Sequence, residues 1–97
     1  MTDHQPRHTK IEKEIVTNLG TVILEHPVGY ARGKSNLYCV SSDDKVLWFA
    51  ELPEENVLYT RVRFDDQGEK LLTYSVRGHA CEIDLKTGKL LSKISIS

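Results

Sequence analysis

The chain says nearly the same thing twice. Tyr30-Ala31-Arg32-Gly33-Lys34-Ser35-Asn36-Leu37-Tyr38-Cys39-Val40-Ser41-Ser42-Asp43-Asp44-Lys45-Val46-Leu47-Trp48 is echoed by Tyr74-Ser75-Val76-Arg77-Gly78-His79-Ala80-Cys81-Glu82-Ile83-Asp84-Leu85-Lys86-Thr87-Gly88-Lys89-Leu90-Leu91-Ser92. The leading tyrosines (74 − 30) and the turn lysines (89 − 45) are both displaced by 44 positions. A repeat of that length made of short strands cannot bury its apolar face alone, so its copies must stack.

The strands themselves follow from alternation of β-formers with turn residues. Leu37 to Ser41 and Val46 to Leu52 flank Asp43-Asp44, a tight hairpin whose aspartates tolerate positive φ and bond their own backbone. Pro53 ends the second of these strands. Tyr59 to Phe64, Glu69 to Val76, His79 to Leu85 and Lys89 to Ile96 follow, separated by Asp65-Asp66-Gln67-Gly68, Arg77-Gly78 and Lys86-Thr87-Gly88. Thr21 to Glu25 reads as one more strand. Residues 10–19 carry two signals. Ile11, Ile15 and Leu19 share a helical face and Thr9 with Glu12 resembles a capping box, whereas Ile15-Val16-Thr17 is a β-branched run that favours a strand. The balance tips slightly to strand. Residues 1–9 are polar and aperiodic, which predicts a flexible terminus, with one domain over 10–97.

Side chains on a strand alternate between faces. The expected core is therefore Val62 and Phe64; Leu72, Tyr74 and Val76; Cys81, Ile83 and Leu85; and Leu90, Ile94 and Ile96. The opposite face would carry Tyr59, Arg61 and Arg63 against Glu82 and Asp84, with Lys93 beyond them.

Composition excludes several partners. With 97 residues the chain makes one small domain. Thirteen basic and 14 acidic side chains leave a net charge of −1, so no excess field draws it to nucleic acid or to a membrane surface. No apolar run approaches the roughly 18 residues that cross a bilayer, and the first residues lack the apolar stretch of a secretion signal, so the expected location is cytoplasmic. Cys39 and Cys81 lie in predicted strands without ligand spacing. They are expected to be buried, reduced thiols, with a bridge between repeats as the alternative.

Residues Tyr59 to Ser75, continued by Cys81 to Leu91, resemble one blade of a WD-repeat propeller. Asn36 to Trp48 is similar to the hairpin of pyrroloquinoline-quinone-type propeller repeats. The pattern departs at Ser41, where an aspartate is expected, and at Ile83, where a tryptophan would precede Asp84. The chain also resembles a group of small uncharacterised bacterial proteins in which such a blade is nearly the whole chain. The resemblance implies an all-β fold of antiparallel meanders, about two blade-like repeats forming an incomplete propeller, and leaves the role open. Two repeats cannot close a ring, so an apolar sheet face and a strand edge need a cover. Either copies of the chain assemble, or the N-terminal segment folds over the sheet.

Few residues offer chemistry. His4 and His8 are four apart but lack a third ligand, so no metal and no cofactor is expected. His26, His79, Cys39, Cys81 and Asp84 supply the residue types of a small hydrolase without any local signature to place them, and Lys86-Thr87-Gly88-Lys89 has the wrong flanks for a phosphate loop. Binding is the better expectation. Tyr59, Arg61 and Arg63 form a face rich in the residue types that anchor interfaces, and Trp48 is expected first to fill the inner layer between strands, or else to join Phe49, Tyr59, Tyr30 and Tyr38 in an aromatic surface suited to sugars or protein partners. The function expected is a non-enzymatic protein-interaction module, binding another protein or a second copy; an oligomeric carbohydrate-binding protein is the alternative.

Overall fold

The computed structural model of the chain describes residues 7–65, 67 and 69–95. Its regular structure is eight strands: β1 (Ile11–Val16), β2 (Thr21–Glu25), β3 (Leu37–Val40), β4 (Val46–Phe49), β5 (Tyr59–Phe64), β6 (Lys70–Ser75), β7 (His79–Asp84) and β8 (Leu90–Ser95). They build two four-stranded antiparallel sheets in simple meander order, β1-β2-β3-β4 as sheet 1 and β5-β6-β7-β8 as sheet 2. The fold is all-β. Among the described residues no helix is long and apolar enough to cross a membrane.

The ambiguous segment 10–19 is strand through Val16. It pairs with β2, Ile15 opposite Val22, and stops where Thr17 turns the chain. The Thr17 hydroxyl donates to the Gly20 carbonyl (2.7 Å) and accepts the amides of Leu19 (3.0 Å) and Gly20 (3.1 Å), a side-chain mimic of a backbone turn. In the Asp43-Asp44 hairpin, Asp44 takes the positive φ, at 66°.

Among the strand openings the 44-residue offset holds for the last strand of each sheet only: Val46 and Leu90 open β4 and β8, whereas Leu37 and His79, which open β3 and β7, lie 79 − 37 = 42 apart. The first strands, opening at Ile11 and Tyr59, lie 59 − 11 = 48 apart, because residues 26–36 make a long β2–β3 connection whose counterpart is residues 76–78. Tyr30 sits in that connection and Tyr74 on β6, so the two tyrosines are not structural equivalents.

Sheet 1 packs on sheet 2 through one core: Val22, Leu24, Leu37, Cys39, Trp48 and Ala50 meet Tyr59, Val62, Leu71, Cys81, Ile83 and Leu85. Of the expected core, Val62, Cys81, Ile83 and Leu85 are buried, and Phe64 and Leu90 pack against them. Leu72, Tyr74 and Val76 do point together, but outward. The ladder sets Thr73 opposite both Val62 and Cys81, so the inward residues of β6 are Leu71, Thr73 and Ser75. Alternation gives two faces and does not say which is inside; hydrophobicity chose the wrong one here.

Two β-bulges account for the other reversals, since an extra residue flips every side chain beyond it. One lies between Tyr59 and Arg61, and it turns Tyr59 inward, fully buried, while Arg61 and Arg63 stay outside. The other sets Glu82 opposite Ser92 but Ile83 opposite Leu90, so Leu90 faces the core and Ile94 faces out, 61% exposed. Ile96, also expected in the core, lies outside the described residues, as do Asp66 and Gly68 of the expected β5–β6 turn.

Polar bonds align the sheets across this core. The Trp48 indole N–H donates to the Leu85 carbonyl (2.9 Å), and the Glu51 amide donates to the Gly88 carbonyl (2.8 Å). Asn36, fully buried, donates to the carbonyls of Glu25 and Tyr59 (both 2.7 Å) and accepts the Tyr59 amide (3.0 Å). Gly88 has φ of 76° and lies flat on Trp48; a Cβ there would sit 2.6 Å from the ring. Gly88→Ala is therefore expected to lower stability by about 2–3 kcal/mol, read as an earlier urea midpoint with an unchanged slope.

Candidate functional site

The two faces left over after the sheets pack are unlike. The outer face of sheet 1 is largely covered: Ile23, Tyr38 and Val40 are buried, with Ile11 and Val46 against them, and Phe49 is half-exposed at its edge. The Arg7 guanidinium covers the Tyr38 ring, 5.4 Å from its centre, and Phe49 packs beside it, ring centres 5.5 Å apart. The N-terminal segment thus covers sheet 1. The expected flexible terminus falls outside the described residues as far as position 6; residues 7–9 are tied down.

What ties them is Glu25. Its buried carboxylate accepts the backbone amides of Arg7 (2.6 Å), His8 (3.0 Å) and Thr9 (2.9 Å), and the Tyr38 hydroxyl. Burial pushes its carboxyl pKa up, but the amides of Arg7, Thr9 and His8 and the Tyr38 hydroxyl together outweigh that and hold it below 4.5. The partner groups respond in the opposite sense: Tyr38 is raised by burial and by the carboxylate, and Tyr30, raised by burial and by Glu25, is pushed up to about 12. The site is a structural clasp with its acceptor capacity used.

The outer face of sheet 2 is open. Register places two rows of side chains across it. One runs Arg63, Leu72, Glu82, Ser92 and the other Arg61, Tyr74, Ala80, Ile94, each residue directly opposite the next on β5, β6, β7 and β8. These residues line a shallow trough of about 640 Å³ that reaches past β5 to Glu12 and Lys13. Glu82 is held by Lys70 (3.7 Å) and by the Ser92 hydroxyl (3.1 Å). Arg63 reaches only the Phe64 carbonyl, at 3.3 Å, and Arg61 has no hydrogen-bond or ion-pair partner among the described residues.

Of the four expected binding residues, Arg61 and Arg63 are here together. Tyr59 and Trp48 are not: Tyr59 is wholly enclosed, its hydroxyl donating to the Glu51 carbonyl, and Trp48 is 8% exposed in the core. The expected aromatic surface is also dispersed, since Tyr30 and Tyr38 are buried and only Phe49 and Tyr74 reach a surface, on different sheets. Leu72, Tyr74 and Ile94 are the functional candidates that alternation misplaced; the signal for them was the excess of apolar residues on β6 over what one face needs.

The reactive residue types have other employment. Cys39 and Cys81 are buried and unbridged, and burial pushes both thiols up, away from a reactive thiolate. His79 Nδ1 lies 2.8 Å from the Ser75 hydroxyl and its Nε2 lies 3.8 Å from Glu54, the parts of a nucleophile, base and acid. Yet the Ser75 oxygen already accepts the amides of Arg77 (3.2 Å) and His79 (3.0 Å), which makes it the clasp of the β6–β7 turn. His26 accepts the Val28 amide. Asp84 accepts the Lys86 amide (2.9 Å) and the Thr87 hydroxyl (3.1 Å) in its own turn. Among the described residues no group of three His, Cys, Asp or Glu could hold a metal, and His4 lies outside them.

Residues 8–94 match the domain of unknown function DUF7957, and the chain belongs to that family. No curated protein and no solved structure matches it.

Glu25 gives a pH test. A carboxyl whose pKa is lower folded than unfolded adds stability above its unfolded value and loses it as pH falls through the folded one. Glu25→Gln, which sets an amide N–H₂ against backbone donors, is expected to cost about 2–3 kcal/mol at pH 7. The gap between variant and parent should close as pH drops below 4.5, followed by denaturant titrations at several pH values.

Proposed function

We propose that the chain is a non-enzymatic protein-interaction module that binds through the outer face of sheet 2. The observation that carries this reading is the composition of the uncovered face: Leu72, Tyr74 and Ile94 lie beside Arg61 and Arg63. Tyrosine and arginine dominate the energetics of interface centres, and an apolar stripe between charges gives both burial and orientation. The first sheet adds support, because Arg7 covers part of its outer face, whereas no described residue covers that of sheet 2. The propeller resemblance agrees with this: in a stack of blades the outer face of sheet 2 is where the next sheet would pack. A cytoplasmic location fits the two reduced cysteines. Sugar binding has less support, since Tyr74 is the one aromatic ring on this face.

Arg61→Ala combined with Arg63→Ala is the test. Both side chains are exposed, so the unfolding midpoint should stay put. Partner affinity in pull-downs with the tagged chain should fall about thirtyfold, each arginine contributing on the order of 1 kcal/mol. Unchanged recovery would remove this face from consideration.

A further inference from the structure

We propose that the partner seated on the open face of sheet 2 is a second copy of the same face, related by a two-fold axis that runs along β6. The proposal rests on the reading of this face as an interaction surface and adds the occupant.

The argument is one of charge order. Across the sheet, the row Arg63, Leu72, Glu82 reads positive, apolar, negative, with Leu72 on β6 at its middle. Rotation by 180° about an axis lying along β6 leaves strand direction unchanged and exchanges the two sides of the sheet. Arg63 of each copy then lies over Glu82 of the other, and both pairs form at once, as an isologous contact requires. Leu72 and Tyr74 fall on the axis and pack against their own symmetry mates. In the neighbouring row Arg61 lies over Ala80, beside the same Glu82. The other two-fold in the plane, running across the strands, would set β5 over β5 and arginine over arginine, which like-charge repulsion disfavours. Lys70 is the one charged residue on β6 and so lies on the axis; it is opposite Asp84 in the next row and is drawn toward Glu82 of its own chain, 3.7 Å away, which turns its charge away from its symmetry mate.

Size sets the strength. Six-residue strands at about 3.4 Å per residue and the three strands β5, β6 and β7 that overlap about this axis, about 4.8 Å apart, make a contact of about 20 Å by 14 Å. Such a contact is smaller than a stable interface, so a weak, transient dimer with a dissociation constant on the order of 100 µM or above is expected.

Sedimentation equilibrium from low to high micromolar concentration, on the unmodified chain and on Arg63→Glu and Glu82→Arg, provides the test. The unmodified chain should move from 11.0 kDa toward twice that mass. Each single reversal should weaken the dimer about tenfold or more, while circular dichroism stays as in the parent. The decisive sample is the equimolar mixture of the two variants: the Arg63→Glu site of one then faces the Glu82→Arg site of the other, both pairs are restored, and a mixed dimer should form. A monomer at every concentration, or a dimer indifferent to both reversals, would overturn the proposal. Its failure is separable from failure of the broader reading: a monomer that still loses a captured protein on Arg63→Glu keeps the face and excludes self-docking.

Discussion

The relative placement of the two sheets depends on one buried amide. Asn36 sits at the entrance to β3, is wholly enclosed, and joins the last carbonyl of β2 to both backbone groups of Tyr59, the first residue of β5. It supplies the bridge that a continuous sheet would have provided and that the break between β4 and β5 removes. Three buried backbone groups rely on it, and each would carry the full penalty of an unpaired polar group without it. Apolar contacts alone would let two twisted sheets slide over one another. Asn36 fixes the register, and the Trp48 indole on the Leu85 carbonyl holds the far side.

Once the sheets are so fixed, the fates of their outer faces follow. Val22-Ile23-Leu24 and Leu37-Tyr38-Cys39-Val40 are unbroken apolar runs, the signature of strands buried on both faces. Sheet 1 therefore needs a second cover, and Glu25 recruits it by gathering three successive amides of the N-terminal segment onto a buried carboxylate. Among the described residues sheet 2 has no equivalent clasp. Its β6 mixes Leu72 and Tyr74 outward with Thr73 and Ser75 inward, a distribution that leaves apolar surface on the open side.

Much of this was legible in the residues. Turn chemistry placed the hairpins, and β2 and β5 fall where their composition puts them, because Gly, Asp and Pro punctuate the chain and β-branched residues fill the gaps. Arg61 and Arg63 were readable as an exposed pair because no bulge lies between them. Glu25 and Asn36 were not, since their roles depend on contacts 11 to 23 positions away in sequence. The one available hint was that a glutamate ending a run buried on both sides must itself be enclosed. Trp48 lies in the core, its favoured place, whereas Tyr59 was misjudged as a surface candidate: aromatic rings suit an interface and a core equally well, and only the stacking of the second sheet decides between them.

The bulges are where local pattern and global structure part, and they also build the open face. Strict alternation would put Tyr59 beside Arg61 and Arg63, and would send Leu90 and Ile94 to a common side. One extra residue in β5 moves Tyr59 into the core, where its hydroxyl reaches the Glu51 carbonyl, without disturbing the arginines. One extra residue in β8 divides its apolar residues, giving Leu90 to the core and Ile94 to the row headed by Arg61. Each bulge costs a ladder bond and increases local twist. In return a strand of six residues serves two environments, filling the shared core at one end and furnishing the exposed rows at the other. A sheet with one face buried needs no such device, so the two reversals are best understood as the means by which sheet 2 carries apolar side chains on a face that none of the described residues covers.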